Sequence, residues 1–128
     1  MSPAYVDSSC VVAIAFEEPG FADLVQYLES YDELFSSALL EAELRAALVR
    51  EGVASDAQML HAISWVLPQR PLSTEITRVL AAGYLRGADL WHLACALFLV
   101  QTPRDLDFAT VDRRQEKVAR ALGFGIGL

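Results

Sequence analysis

The chain has 128 residues and a hydrophobic fraction of 54%, which suits one compact domain over 1–128 with a real core and argues against disorder. Its net charge of −7 opposes indiscriminate nucleic-acid binding, but it leaves room for a nucleic-acid substrate held by a local basic patch. No apolar run reaches the roughly 18 residues a membrane span needs, and no basic-then-apolar leader opens the chain, so a cytoplasmic protein with no membrane attachment is expected.

Ala4 to Val6 predicts a first strand, and Ser8 or Ser9 can cap a helix running to about Phe16. Pro19-Gly20 breaks the chain before an acidic-faced helix from Phe21 to Ser30, with Phe21, Leu24, Val25 and Leu28 on its buried side. Leu34-Phe35-Ser36 makes a short strand, and a helix from Ala38 to Arg50 ends at Gly52. Ser55 and Gln58 have the spacing of a capping box, which predicts a helix to about Val66. An extended piece near Gln69-Arg70-Pro71 leads to a helix from Thr74 to Ala82, and Gly83 and Gly87 flank the link to the most apolar helix, Ala88 to Val100. Phe108 to Val111 reads as the last clear strand, followed by a helix from Arg113 to Leu122 and a short final strand or tail. Short strands separated by helices imply parallel pairing with helices on both faces: an α/β fold, a three-layer α/β/α sandwich around a mostly parallel sheet.

Charge is unevenly spread. No Lys or Arg precedes Arg45, whereas nine acids do; from Arg45 onward ten basic residues face eight acids. Cys10 and Cys95 lie in apolar pattern and belong to no Cys/His cluster, so buried reduced thiols are expected and zinc is not.

Four acids stand where a core-forming segment does not ordinarily carry them. Asp7 ends the apolar stretch Ala4-Tyr5-Val6, and Asp112 ends Phe108-Ala109-Thr110-Val111. Glu43 and Asp89 fall inside apolar helical segments, where an uncompensated carboxylate is costly. Ligand sites in parallel sheets form beyond the carboxyl ends of strands, which is where Asp7 and Asp112 sit. A bound Mg2+ or Mn2+ would compensate such a cluster, because these ions take hard oxygen ligands and retain several waters. With an ion in place, phosphodiester hydrolysis becomes accessible. Plainer readings exist for two of them: Asp7 before Ser8-Ser9 caps a helix, and Asp89 opens one, where the dipole favours a carboxylate. Glu41 and Glu43 compete for one role, since two positions on a helix point about 160° apart. Glu43 shares the apolar face with Leu40 and Ala47, whereas Glu41 aligns with Arg45 as a surface pair.

Here the chain resembles a family. Asp7-Ser8-Ser9 after a first strand is similar to the opening motif of PIN-domain nucleases. Ser36 to Leu44 is similar to their Ser…Glu-Leu helix. Arg86-Gly87-Ala88-Asp89-Leu90-Trp91-His92-Leu93-Ala94 resembles their Arg-x-x-Asp-x-x-His-Leu-Ala helix, with Leu90-Trp91 bulkier than the usual pair. Thr110-Val111-Asp112-Arg113-Arg114 resembles their Thr-x-Asp-x-Arg strand end. The four motifs occur in order over nearly the whole chain. Size and lack of appendages resemble the VapC toxins of bacterial toxin–antitoxin pairs. The resemblance implies a metal-dependent endoribonuclease acting on RNA, a homodimer and a cognate antitoxin. It also implies that Asp7, Glu43, Asp89 and Asp112 hold the metal and are catalytic, with Thr110 and Ser8 or Ser9 as supporting hydrogen-bond donors.

Other residues carry weaker signals. His92, three residues after Asp89, is expected in a structural or supporting role. Arg113-Arg114 opens a helix, the unfavourable end for positive charge, which hints at phosphate contact. Arg86 could likewise meet RNA or a partner. Asp105 and Asp107 read as solvated loop acids, and Trp65 and Trp91 as core or dimer interface. A metal-dependent phosphatase is disfavoured because Ser9 stands where an Asp-x-Asp motif needs its second acid. A non-catalytic PIN-like binding module is the other alternative, but all four acids are present.

Overall fold

A computed structural model of the protein describes residues 2–54 and 57–127. Among these residues, strands and helices alternate: β1 (Pro3–Val6), α1 (Ser8–Ala15), α2 (Phe21–Glu29), β2 (Glu33–Ser37), α3 (Ala38–Glu51), β3 (Ile63–Val66), α4 (Ser73–Ala82), α5 (Gly87–Leu99), β4 (Asp107–Ala109) and α6 (Arg113–Leu122). The four strands form one parallel sheet in the order β3-β2-β1-β4. In register, Tyr5 stands beside Phe35 on one side and Phe108 on the other.

The period-two alternation of these strands builds two cores. Tyr5, Phe35 and Phe108 face α4, α5 and α6, meeting Val79, Leu93, Leu97 and Val118. Val6, Leu34 and Ala109 face the other way, toward α1, α2 and α3, meeting Cys10, Leu24, Leu40 and Leu44. The result is the expected three-layer α/β/α sandwich. The chain steps from β1 to β2 to β3 in one direction with α1–α3 on one face. It then returns past β1 to β4 with α4 and α5 on the other, as right-handed crossovers require. The direction reverses at β1 and β4, so the crevice beyond their carboxyl ends is the natural ligand site.

The helix expected up to Val66 does not form. A single 3-10 turn, Gln58–Ala62, gives way to β3 over Ile63–Val66, paired in parallel with β2. Ile63, Trp65 and Val66 favour a pleated surface, and Pro68 holds Leu67 out of helical conformation, so the strand wins. The capping-box residue Ser55 lies outside the described residues. The extended piece near Gln69 is not part of the sheet. The last strand is Asp107–Ala109 rather than Phe108–Val111, so Thr110 and Val111 have already left the ladder when Asp112 begins α6. The final segment contributes one bridge, Gly125 to Asp107. A Cβ on Gly83 would lie 2.8 Å from Val118 Cγ2, so a bare backbone is what lets the end of α4 close on α6. No helix among the described residues is long and apolar enough to cross a membrane.

Candidate functional site

Each candidate acid is placed by an element that the sequence specifies locally. Asp7 follows β1 and caps α1, its Oδ2 accepting from Ser9 N at 3.0 Å. Asp112 caps α6, its Oδ1 accepting from Gln115 N at 2.9 Å. Glu43 projects from α3, itself capped by Ser37, whose hydroxyl accepts from Leu39 N. Asp89 lies in the first turn of α5. The capping readings of Asp7 and Asp112 and the site reading are therefore compatible: the cap is what points each carboxylate.

Asp7 is 2% exposed, yet its neighbours are neutral donors and an imidazole. Gln115 Nε2 donates to its Oδ1 at 3.2 Å, and His92 Nε2 stands 3.8 Å from the same oxygen. His92 Nε2 also meets Glu43 Oε1 at 2.9 Å, linking two acids through one ring. Burial pushes the Glu43 carboxyl up, but donors from His92 and Ser8 outweigh it and leave the group below its ordinary range. Asp89 moves the other way: burial raises it, and the charges of Asp7, Asp112 and Glu43 raise it further. That repulsion couples Asp89 electrostatically to the other three acids.

Among the described residues no Lys or Arg forms an ion pair with any of these four; the Arg side chains that do pair meet Glu41, Glu51, Glu75 and Glu116. The donor set is thus hard carboxylate oxygen with no Lys or Arg paired to it, which fits Mg2+ or Mn2+ in kind. No three of the described His, Cys, Asp or Glu side chains form a ready-made chelating group. An ion that keeps several waters needs only one or two direct carboxylates.

The supporting residues surround this pocket. Ser9 Oγ lies 3.2 Å from Thr110 Oγ1, and Thr110 Oγ1 is 3.4 Å from Asp7 Oδ2. Ser8 is buried and helps to hold the Glu43 carboxyl below its ordinary range. His92 is fully buried, with Nδ1 at 2.7 Å from the Tyr5 hydroxyl. Arg86, Arg113 and Arg114 are exposed at the starts of α5 and α6, and none makes an ion pair among the described residues. Arg113 lines a groove of about 640 Å³ that runs from Thr110, Val111 and Asp112 to Glu18, Phe21 and Leu24. Glu41 pairs with Arg45 at 2.7 Å on the surface, as its helical position requires.

Asp107 is not simply solvated. It is half-buried and accepts a hydrogen bond from the Tyr31 hydroxyl, which also meets Tyr27. Two buried residues that the motifs do not contain, Gln115 and Tyr5, hold the site together. Gln115 lies on the stripe Gln115–Val118–Ala119–Leu122, a helical spacing that marks a buried polar residue. Tyr5 sits in a strand buried on both faces, where its hydroxyl needs a partner. Both thiols are buried, and burial foremost pushes each up to about 12, which keeps them protonated and unreactive.

The fold defines an α/β protein in which Asp7 and Asp112 follow the carboxyl ends of two adjacent parallel strands. A family model described as PIN domain matches residues 4–121, and the chain belongs to that family. It is also similar to Ribonuclease VapC46 of Mycobacterium tuberculosis, with 31% identity over 131 residues that cover 98% of this chain and 97% of the relative. No solved structure matches the chain at a significant level.

Proposed function

We propose that the protein is a Mg2+- or Mn2+-dependent endoribonuclease, the toxin of a toxin–antitoxin pair, working in the cytoplasm. The observation that supports this reading is that Asp89 feels the charges of Asp7, Asp112 and Glu43, while no Lys or Arg among the described residues pairs with any of the four. Family membership and the similarity to a ribonuclease support the same chemistry. Asp7, Glu43, Asp89 and Asp112 would hold the divalent ion, which when bound would supply Lewis-acid charge for an attacking water and for the leaving oxygen. His92 holds the Glu43 carboxylate in place, and the Ser9 backbone and Gln115 hold Asp7. Exposed Arg113, Arg114 and Arg86 are free to meet the phosphates of a bound strand, and water attacks in line with no covalent enzyme intermediate.

An antitoxin would neutralise the pocket with an Arg side chain from an extended segment, since Arg captures carboxylates in bidentate fashion. A homodimer belongs to the same reading; Leu67, Leu80 and Tyr84 remain exposed and available to a second copy. The test is cleavage of RNA by the purified protein. Chelation is expected to stop it and Mg2+ or Mn2+ to restore it. Undiminished cleavage after thorough chelation would refute the mechanism.

A further inference from the structure

Gln115 is 0% exposed, and its polar atoms are engaged on every side. Its Nε2 donates to Asp7 Oδ1 at 3.2 Å and to the backbone carbonyl of Asp89 at 3.2 Å. Its Oε1 accepts from Thr110 Oγ1 at 2.7 Å, and its backbone N–H donates to Asp112 Oδ1 at 2.9 Å. One residue of α6 therefore touches three of the four acid positions.

Chemistry fixes the direction of each bond. A carboxylate and a carbonyl only accept, so the amide must turn its NH2 toward Asp7 and Asp89 and its oxygen toward Thr110. Thr110 Oγ1 accepts from Asp112 N at 3.0 Å, and Ser9 Oγ accepts from Val111 N at 3.1 Å. The Thr110 proton then goes to Gln115, and the Ser9 proton is left for Thr110 at 3.2 Å. A polarised chain runs from Ser9 through Thr110 and Gln115 to Asp7. The direct contact of Thr110 with Asp7, at 3.4 Å, is the longer path.

We propose that Gln115 is a positioning residue of the acidic pocket: it locks Asp7 Oδ1 in orientation and ties the start of α5, hence Asp89, to Asp7. This rests on the reading of the pocket as a divalent-cation site. The Ser9 and Thr110 hydroxyls then influence Asp7 chiefly through the Gln115 amide. No other side chain of this length gives two N–H bonds and accepts one at the same time; Met fills similar space and offers none of the three.

The experiment measures Mn2+ binding to the purified protein by titration calorimetry, alongside metal-dependent RNA cleavage and melting. The proteins are wild type, Gln115→Met, Thr110→Val, the double variant, and Val79→Ala as a core control on α4, which supplies none of the candidate site residues. Gln115→Met is expected to weaken Mn2+ binding by about 10–100-fold, the usual loss when a group that orients a ligand is removed. Thr110→Val should weaken it less and add little to Gln115→Met, because both act through one chain. Val79→Ala should lower the melting temperature without changing Mn2+ affinity. A folded Gln115→Met protein with wild-type Mn2+ affinity overturns the proposal. If Gln115→Met does not fold, wild-type affinity in Thr110→Val overturns it instead. A wild type that neither binds Mn2+ nor cuts RNA overturns the reading of the pocket, and this inference with it. Wild-type binding with a deficient Gln115→Met, in contrast, supports both.

Discussion

His92 and Glu43, 49 positions apart in the chain, meet at 2.9 Å between Nε2 and Oε1. The other ring nitrogen lies 2.7 Å from the Tyr5 hydroxyl, whose oxygen accepts from Ser37 N at 3.1 Å. Burial pushes the Tyr5 phenol far above its usual range, so it keeps its proton. In the neutral imidazole, Nδ1 accepts that proton's hydrogen bond and Nε2 donates to Glu43. The sheet thereby sets the direction of a carboxylate on a helix. His92→Leu is expected to strand the Tyr5 hydroxyl in the core at a cost of about 1–3 kcal/mol. It should also lower RNA cleavage by roughly 10–100-fold through loss of Glu43 orientation. Urea melts and cleavage rates of the variant check both; an unchanged rate in a folded protein would show that Glu43 needs no such anchor.

Asp7→Asn and Asp112→Asn are both expected to abolish metal-dependent cleavage, but not to cost the same stability. At Asp112 the amide oxygen can still cap α6 by accepting from Gln115 N, so the fold should lose under about 0.5 kcal/mol. At Asp7 one oxygen accepts from Ser9 N and the other from Gln115 Nε2, and an Asn has only one oxygen to offer. Its NH2 then confronts a donor in a buried site, costing about 1–3 kcal/mol. Cleavage of an RNA substrate at the wild-type rate by both variants would remove these acids from the active site.

The fold was legible where hydrophobic period and turn chemistry agreed. Pro19-Gly20 and Gly52 mark real boundaries, and Tyr5-Val6 and Phe108-Ala109 alternate between two cores as a doubly covered strand must. It was not legible at 58–66, where a capping-box spacing outweighed the β-branched and aromatic residues of a strand that only pairing with β2 stabilises. The placing of Asp7 before α1 and of Asp89 in the first turn of α5 was legible, because a carboxylate in an apolar segment is itself a signal. Gln115 and Tyr5 gave a weaker signal, their place on a buried stripe and in a buried strand, because a neutral polar side chain carries no such penalty once its partners arrive from distant segments. Asp107 was misread for the same reason: its partner, Tyr31, is 76 positions away.

Glu43→Gln and Glu41→Gln test which face of α3 matters. Glu41 makes an exposed pair with Arg45, so its loss should change stability by less than about 0.5 kcal/mol and leave cleavage intact. Glu43→Gln should cut cleavage by at least about 100-fold, as expected when a charge that holds the ion is removed. The two should also differ in acid. The folded carboxyl of Glu43 lies below its ordinary value of 4.5, so the stability it contributes is present above that pH and is lost as pH falls through the folded value. Glu43→Gln removes that segment of the acid-unfolding curve, and Glu41→Gln keeps it. The reverse order of effects would place the site on the other face of the helix.

Asp89 carries the opposite linkage. Burial first, then the charges of Asp7, Asp112 and Glu43, raise its carboxyl above the ordinary value of 3.8. A folded state that binds the proton more tightly than the unfolded chain loses stability as pH rises from about that value to the raised one, and carries the full penalty at neutral pH. Asp89→Asn removes the charge and keeps the shape, so the metal-free variant should melt above wild type at neutral pH. The carboxyl is only half-buried, and solvent screening keeps the gain to about 0.5 kcal/mol. The gain should vanish at about pH 2, well below the ordinary value of 3.8, where the wild-type acid is protonated in both states. Saturating Mg2+ or Mn2+ should reverse the order, because an ion that binds only the native pocket stabilises the wild type by mass action and the variant less. Melting both proteins at the two pH values, with chelator and with metal, decides the matter. If Asp89→Asn melts lower than wild type in chelator and gains as much from metal, Asp89 serves α5 as a helix-start residue and the four-acid pocket loses one of its members.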